Sequence, residues 1–242
     1  ARRVVPEAGA VDDAQRRRPR GVIDGSGFRN NSAGGQGGGI YAEGADVTIN
    51  STELQYNSSD DGGAGLHVED GALTMSRDWL YRNIGNGMAI NAVDAVIDNT
   101  VIADHDAYGG DGIDVDGGST ASLTNLTIVD NVIPVDVDAS SAALSCSILH
   151  SNNAPGQVSG GGSATFNIVK ASTFANLGGT VGANTYASSF ANPMFVAQTS
   201  ANYRLLSTSP LLGDCVTNGT RPDLDGKAFD QTFFIDLGAY ER

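Results

Sequence analysis

The sequence predicts an all-β fold: a single-stranded right-handed parallel β-helix of three sheets, about 21–26 residues per coil, closed by a C-terminal capping segment. Three observations predict it. The first is a repeat carried by three columns of residues. Ile23, Ile49, Met75, Ile97, Leu123 and Leu144 form one column. Phe28, Leu54, Leu80, Ile102, Ile128 and Leu149 form a second, and Asn31, Asn57, Asn83, His105, Asn131 and Asn152 a third. Neighbours in every column are 26, 26, 22, 26 and 21 residues apart, and internal repeats of this length mean a solenoid. The second observation is alternation by twos, as in Ile113-Asp114-Val115-Asp116 and Val135-Asp136-Val137-Asp138, which is the period of a strand. The third is 32 glycines with runs such as Gly37-Gly38-Gly39, poor in helices and suited to sharp turns.

Taken in order, residues 1–20 read as a basic linker, a processed leader or an incomplete first coil. Residues 21–157 read as regular coils. A fourth column, Ile40, Leu66, Met88, Ile113 and Val135, belongs to them, with steps of 26, 22, 25 and 22. Three short strands fit each repeat, and each coil stacks on the next at the strand spacing of roughly 4.8 Å. Parallel crossovers are right-handed. The asparagine column is expected to stack at one corner as a hydrogen-bonded amide ladder. Residues 158–242 lose the period and read as irregular last coils and a cap. Ser163–Val169 and Thr180–Tyr186 are candidate strands there. An open solenoid end exposes strand edges and core. Phe195, Leu205, Leu211, Phe233, Phe234, Leu237 and Tyr240 are the apolar residues expected to cover it.

Two stretches carry a resemblance. Phe28-Arg29-Asn30-Asn31 followed by Gly37-Gly38-Gly39-Ile40-Tyr41 resembles the paired FxxN and GGA/GI motifs of polymorphic outer-membrane proteins and related β-helix surface proteins. The series Asn192-Pro193-Met194-Phe195, Tyr203-Arg204-Leu205, Ser209-Pro210, Asp223-Leu224-Asp225-Gly226 and Asp236-Leu237-Gly238-Ala239-Tyr240 resembles the closing segment of secreted bacterial right-handed β-helix repeat proteins. That resemblance implies an exported bacterial protein, secreted or at the cell surface.

Charge narrows the partners. The chain carries −14, residues 1–20 are net +3, and residues 21–242 therefore hold −17. A body this acidic repels nucleic acid and anionic lipid. No apolar run is long enough to span a membrane. Two cysteines are too few for a disulfide framework. Cys146 and Cys215 are read either as a bridge tying the terminal block to the coils or as two buried thiols.

The candidate chemistry lies on one outward face. Residues that follow the fourth column inward-pointing members point out: Tyr41, His67, Ala89, Asp114 and Asp136, then Glu43, Glu69, Asn91, Asp116 and Asp138. Asp114, Asp116, Asp136 and Asp138 form a two-by-two block of carboxylates. Such a block repels itself unless screened or bridged, and oxygen ligands suit Ca²⁺. The competing reading is a solvated acidic face. As an active site, the same face would use Asp111, Asp114 and Asp116 with His67. Gly110-Asp111-Gly112-Ile113-Asp114 resembles the NTDGID stretch of polygalacturonase-like glycosidases, which implies carboxylates acting as acid and base. No Lys or Arg occurs between Arg82 and Lys170, so a β-eliminating lyase lacks a basic residue in that stretch. Trp79 and Tyr81 point out together beside Leu80 and form either a sugar platform or a surface covered by another segment such as residues 1–20. Asp223-Leu224-Asp225-Gly226 with Asp230 is read as a turn in the cap rather than a calcium loop.

The leading functional expectation is an exported surface protein acting as a structural, adhesive or self-assembling module. Its expected partners are itself, by end-to-end stacking into a homo-oligomer, or another surface protein or polysaccharide. The second expectation is a polysaccharide lyase or glycoside hydrolase working on the acidic face.

Overall fold

The computed structural model describes residues 18–105, 109–153, 158–159, 162–171, 180–181, 192–215, 222–227 and 235–240. The expectations placed on residues 1–17, on Phe233 and Phe234, on Asp230, and on most of Thr180–Tyr186 lie outside them.

Three stacks of short parallel strands form the body. The first holds β1 (Arg20–Asp24), β5 (Asp46–Asn50), β8 (Ala72–Ser76), β11 (Asp94–Asp98), β14 (Thr120–Thr124) and β17 (Ser141–His150). The second holds β2 (Gly27–Arg29), β6 (Glu53–Gln55), β9 (Trp79–Tyr81), β12 (Val101–Ala103), β15 (Thr127–Val129) and the far half of β17. The third holds β3 (Ser32–Ala33) and β4 (Ile40–Glu43), both on β7 (Ser58–Glu69), then β10 (Ile84–Asn91), β13 (Ile113–Asp116), β16 (Val135–Val137) and β18 (Val158–Ser159). β19 (Ser163–Ala171) continues on β17, and β20 (Thr180–Val181) pairs with it.

The columns are the register. Ile23 pairs with Ile49, Ile49 with Met75, Met75 with Ile97, Ile97 with Leu123 and Leu123 with Leu144. Phe28, Leu54, Leu80, Ile102, Ile128 and Leu149 pair in sequence in the same way. The core is these columns seen end on, and Ile49, Leu54, Leu66, Met75, Leu80, Ile97 and Ile113 are completely buried. The amide ladder runs from Asn31 through Asn57 to Asn83, crosses His105, and continues through Asn131 to Asn152. His105 fits because its neutral ring can accept from the Asn83 amide at Nε2 (3.2 Å) while Nδ1–H donates to Asn131 Oδ1 (2.7 Å).

The corners are less glycine-rich than the composition suggests. Each coil turns at residues with φ between 48° and 66°, and these keep the repeat: Gly25, Ser51, Arg77, Asn99, Asn125 and Cys146 at one corner, Asn30, Tyr56, Arg82, Asp104, Asp130 and Ser151 at the next. A non-glycine residue there costs roughly 1–2 kcal/mol. The cost is offset by stacking, since Ser51, Arg77, Asn99 and Asn125 each donate their N–H to a carbonyl of the following coil. Glycine is needed elsewhere. A Cβ on Gly65 or Gly87 would lie 2.5 Å or 2.7 Å from the carbonyl oxygen of the next coil and against the ladder side chains.

The C-terminal segment departs from its expected place. Its described residues cover a side of the solenoid. β21 (Phe195–Ala197) and β22 (Asn202–Leu205) form an antiparallel hairpin. Phe195, Tyr203, Leu205, Leu211, Leu237 and Tyr240 pack with Val101, Ala103, Val129 and Ile148, which are outward residues of the second stack. The physical reason is that those outward positions are apolar from Trp79 onward, so this face must be covered. Cys146 and Cys215 are bonded, with Cα atoms 5.5 Å apart, and pin the segment there. Asp223–Lys227 forms a turn, with Lys227 N–H donating to Asp223 Oδ1 at 2.6 Å.

Candidate active site

The acidic face is the outward side of the third stack. Alternation along β4, β7, β10, β13 and β16 turns Ile40, Leu66, Met88, Ile113 and Val135 inward and the following residue outward. Register then aligns Tyr41, His67, Ala89, Asp114 and Asp136 in one row across five strands. Glu43, Glu69, Asn91 and Asp116 form the parallel row.

Asp114 is half-buried, as are Asp111 and Asp136. Burial, reinforced by the charges of Asp136, Asp116, Asp111 and Asp138, pushes the Asp114 carboxyl up to about 6. Asp111 is also raised, first by burial and then by Asp136, although Ile133 N–H donates to its Oδ1 at 3.0 Å. Asp116 is exposed and accepts from Gly117 N–H at 2.5 Å. Asp138 is exposed at the following corner.

Asn86 completes the site and was not singled out in the sequence. Its Nδ2 donates to Asp114 Oδ2 at 3.4 Å, and its Oδ1 accepts from Asp111 N–H at 3.0 Å. The pairing of β10 with β7 is irregular around Asn86. A bulge breaks strict alternation and re-aims a side chain. Alternation alone therefore could not place Asn86 on this face; its only signal was an amide two residues before an inward Met88.

His67 lies in the same row, two strands from Asp114, and is buried (4% exposed). Burial lowers its pKa, against the opposing pull of Glu69. Its Nε2 is 3.9 Å from Glu69 Oε2, beyond hydrogen-bond reach, and neither ring nitrogen has a hydrogen-bond partner among the described residues. The Tyr41 ring stacks on it at 5.6 Å and 28°. His67 is therefore not brought onto Asp114 as a direct partner. Among the described residues no three His, Cys, Asp or Glu side chains converge as a cation site.

Trp79 and Tyr81 do not form an open platform. They are half-buried beneath the C-terminal segment, with the Trp79 ring 6.2 Å from that of Tyr203. Among the described residues the cover comes from the hairpin, which places Tyr203 and Phe195 over this stack.

Comparisons with known proteins agree with the architecture. No family model matches the chain, and no curated protein matches it. A solved structure, described as the crystal structure of pectate lyase Pel9A, superposes with a TM-score of 0.54 at 14% identity. The match covers 91% of this chain and 65% of that one, so this chain spans about two thirds of the other's length. At that identity the likeness is one of fold: an all-β parallel β-solenoid, as in that pectate lyase.

Proposed function

We propose that this chain is an exported polysaccharide-acting enzyme, a glycoside hydrolase whose working surface is the Asp114 face. The observation that carries the reading is a half-buried carboxyl raised to about 6 beside a second carboxylate on the adjoining strand. A proton-holding carboxyl beside a second carboxylate is the means of acid–base glycosidic cleavage. Asp114 donates its proton to the glycosidic oxygen as that bond to the anomeric carbon breaks. Asp136 is the partner carboxylate. Adjoining strands hold register partners about 5 Å apart, the separation associated with retaining rather than inverting hydrolysis. Asp136 thus attacks the anomeric carbon, and water then displaces it as Asp114 takes back a proton. Asn86 holds the Asp114 carboxyl in place.

The fold shared with a pectate lyase supports a polysaccharide substrate. Hydrolysis is favoured over β-elimination because, among the described residues, the strands of that face around Asp114 offer no Lys or Arg to abstract a carbon-bound proton; no such residue occurs from 83 to 169. The Cys146–Cys215 bond supports export to an oxidising compartment. Calcium at Asp114, Asp116, Asp136 and Asp138 is a separate proposal, tested by whether calcium raises the melting temperature of the chelator-treated protein. The reaction written here runs without it.

The test is a screen of neutral and acidic polysaccharides with wild-type protein and Asp114→Asn. Turnover of a neutral glycan, lost by at least two orders of magnitude in the variant, is expected. An inert wild type across the panel, or full activity in Asp114→Asn, overturns the reading and returns the chain to the structural or adhesive class.

A further inference from the structure

We infer that the hollow lined by Thr48, Asn50, Thr74, Ser76, Arg77 and Pro222 is a binding site for a small oxyanion, with the Arg77 guanidinium as its cation. Thr48 and Thr74 belong to the sheet of the first two stacks and Asp114 to the other sheet, so this site does not depend on how the Asp114 face is read.

Arg77 differs from its fellow arginines. Arg18 and Arg20 each lie 4.0 Å from Asp46, Arg29 pairs with Glu53, Arg82 with Asp104 and Arg204 with Asp225. Arg77 makes no ion pair and no side-chain hydrogen bond among the described residues, although it is half-buried. A charge drawn partly out of water costs free energy unless it is paired. The backbone adds to that cost. Arg77 has φ 63°, at the corner where the other coils place Gly25, Ser51, Asn99, Asn125 and Cys146. Strained residues of this kind cluster at binding sites. The neighbouring acids are engaged elsewhere. Asp98 Oδ1 accepts from Ser76 Oγ–H and from Asn99 Nδ2, and Asp78 is fully buried with Thr52 N–H donating to its Oδ1 at 2.8 Å.

Hydrogen-bond donors line the same hollow. Ile49 and Met75 point inward, so alternation turns Thr48, Asn50, Thr74 and Ser76 outward. Register sets Thr48 beside Thr74 and Asn50 beside Ser76. The hydroxyls of Thr48 and Thr74 and the amide of Asn50 have no hydrogen-bond partner among the described residues. The site thus offers two hydroxyls one strand spacing, about 4.8 Å, apart, together with an amide and a guanidinium. The planar fork of arginine matches two oxygens of a carboxylate, sulfate or phosphate. A cation is repelled by Arg77, and a neutral ligand leaves its charge unpaired. Pro222 closes the hollow from the C-terminal segment, where its carbonyl accepts from Asn99 Nδ2 at 3.2 Å. The volume, about 270 Å³, is larger than a bare ion fills and admits an acid group still attached to a sugar ring. The shared chemistry is the oxyanion; its source is either the free ion or an acidic sugar.

The experiment titrates the full ¹⁵N-labelled chain with sodium sulfate, sodium phosphate and sodium glucuronate, each at an ionic strength held constant with sodium chloride. It follows the Arg77 Nε–H and the Thr48 and Thr74 amide resonances by NMR. A saturable shift in the millimolar range is expected for at least one of the three. Tighter sulfate or phosphate binding identifies the free ion as the source, and tighter glucuronate binding an acidic sugar. Arg77→Asn carries the residue that Asn99 and Asn125 place at the same corner, so its melting temperature should hold while affinity falls by at least about tenfold. Thr48→Val keeps the charge and should lose roughly threefold, which tests the site without touching Arg77. Shifts that stay linear with all three anions, or saturation that survives in Arg77→Asn, overturn the site. Asp114→Asn should bind as the wild type does, so this site and the hydrolytic reading stand or fall separately.

Discussion

At the scale of single residues, the chain shows how a solenoid accommodates polar groups inside. His105 occupies an asparagine's place in a fully buried ladder, and burial lowers its pKa to about 4. Its folded pKa lies below its unfolded value near 6.5, so its contribution is present above that pH and is lost as pH falls through about 4. The shift corresponds to roughly 3 kcal/mol. Thermal melts of wild type and His105→Asn between pH 7 and pH 4 should therefore diverge, with the variant less sensitive to acid. Asp78 has the opposite sign. It is fully buried, accepts from Thr52 N–H at 2.8 Å, and burial pushes its carboxyl up to about 7. Its neutral form is favoured in the fold, so its contribution is present below about 4 and is lost as pH rises through 7. Asp78→Asn should raise the melting temperature at pH 8 and change it little at pH 5. His105 was legible in the sequence because it fell in the asparagine column. Asp78 was not, because its column mixes Ser26, Thr52, Asp78, Thr100, Leu126 and Ser147; Thr52, Asp78, Thr100 and Ser147 share only the task of receiving a backbone N–H from the preceding coil.

At the scale of elements, strands and register could be read directly, since burial on one side of a strand forces a period of two and stacking forces equal spacing. Met75→Ala illustrates the dependence: it leaves a cavity between Ile49 and Ile97 and should cost roughly 2–5 kcal/mol in denaturant unfolding. The cap could not be placed in the same way. Its apolar residues showed that it covers something, but a solenoid offers both an end and three sides. The deciding signal was the change of outward residues in the second stack from Glu53 and Gln55 to Trp79, Tyr81, Val101, Ala103, Val129 and Ile148. The Cys146–Cys215 bond spans 69 residues, and loop-closure entropy puts its contribution at about 4 kcal/mol. The single tryptophan sits under the cap and reports on it. Reduction should shift Trp79 emission to the red and lower the first melting step while the coils remain folded. Simultaneous loss of β-sheet signal would show that cap and coils form one cooperative unit.

At the scale of the whole molecule, the stacked coils bring far-apart residues together and give the acidic face its chemistry. Tyr41 and Asp136 are nearly a hundred positions apart in the chain yet lie in one row. The aspartates were legible as outward alternation on Ile113–Asp116 and Val135–Val137. What was not legible was which of them holds a proton, because that depends on how far the fold buries Asp114 and on the charges it gathers around it. If the site hydrolyses by the route above, the first product carries the anomeric configuration of the substrate, and proton NMR of the earliest products checks this. The most direct measurement is the carbon NMR titration of the Asp114 carboxyl in wild type and in Asp136→Asn. The account predicts a midpoint near 6 that falls when the Asp136 charge is removed. A midpoint at the ordinary aspartate value, indifferent to that substitution, would contradict it.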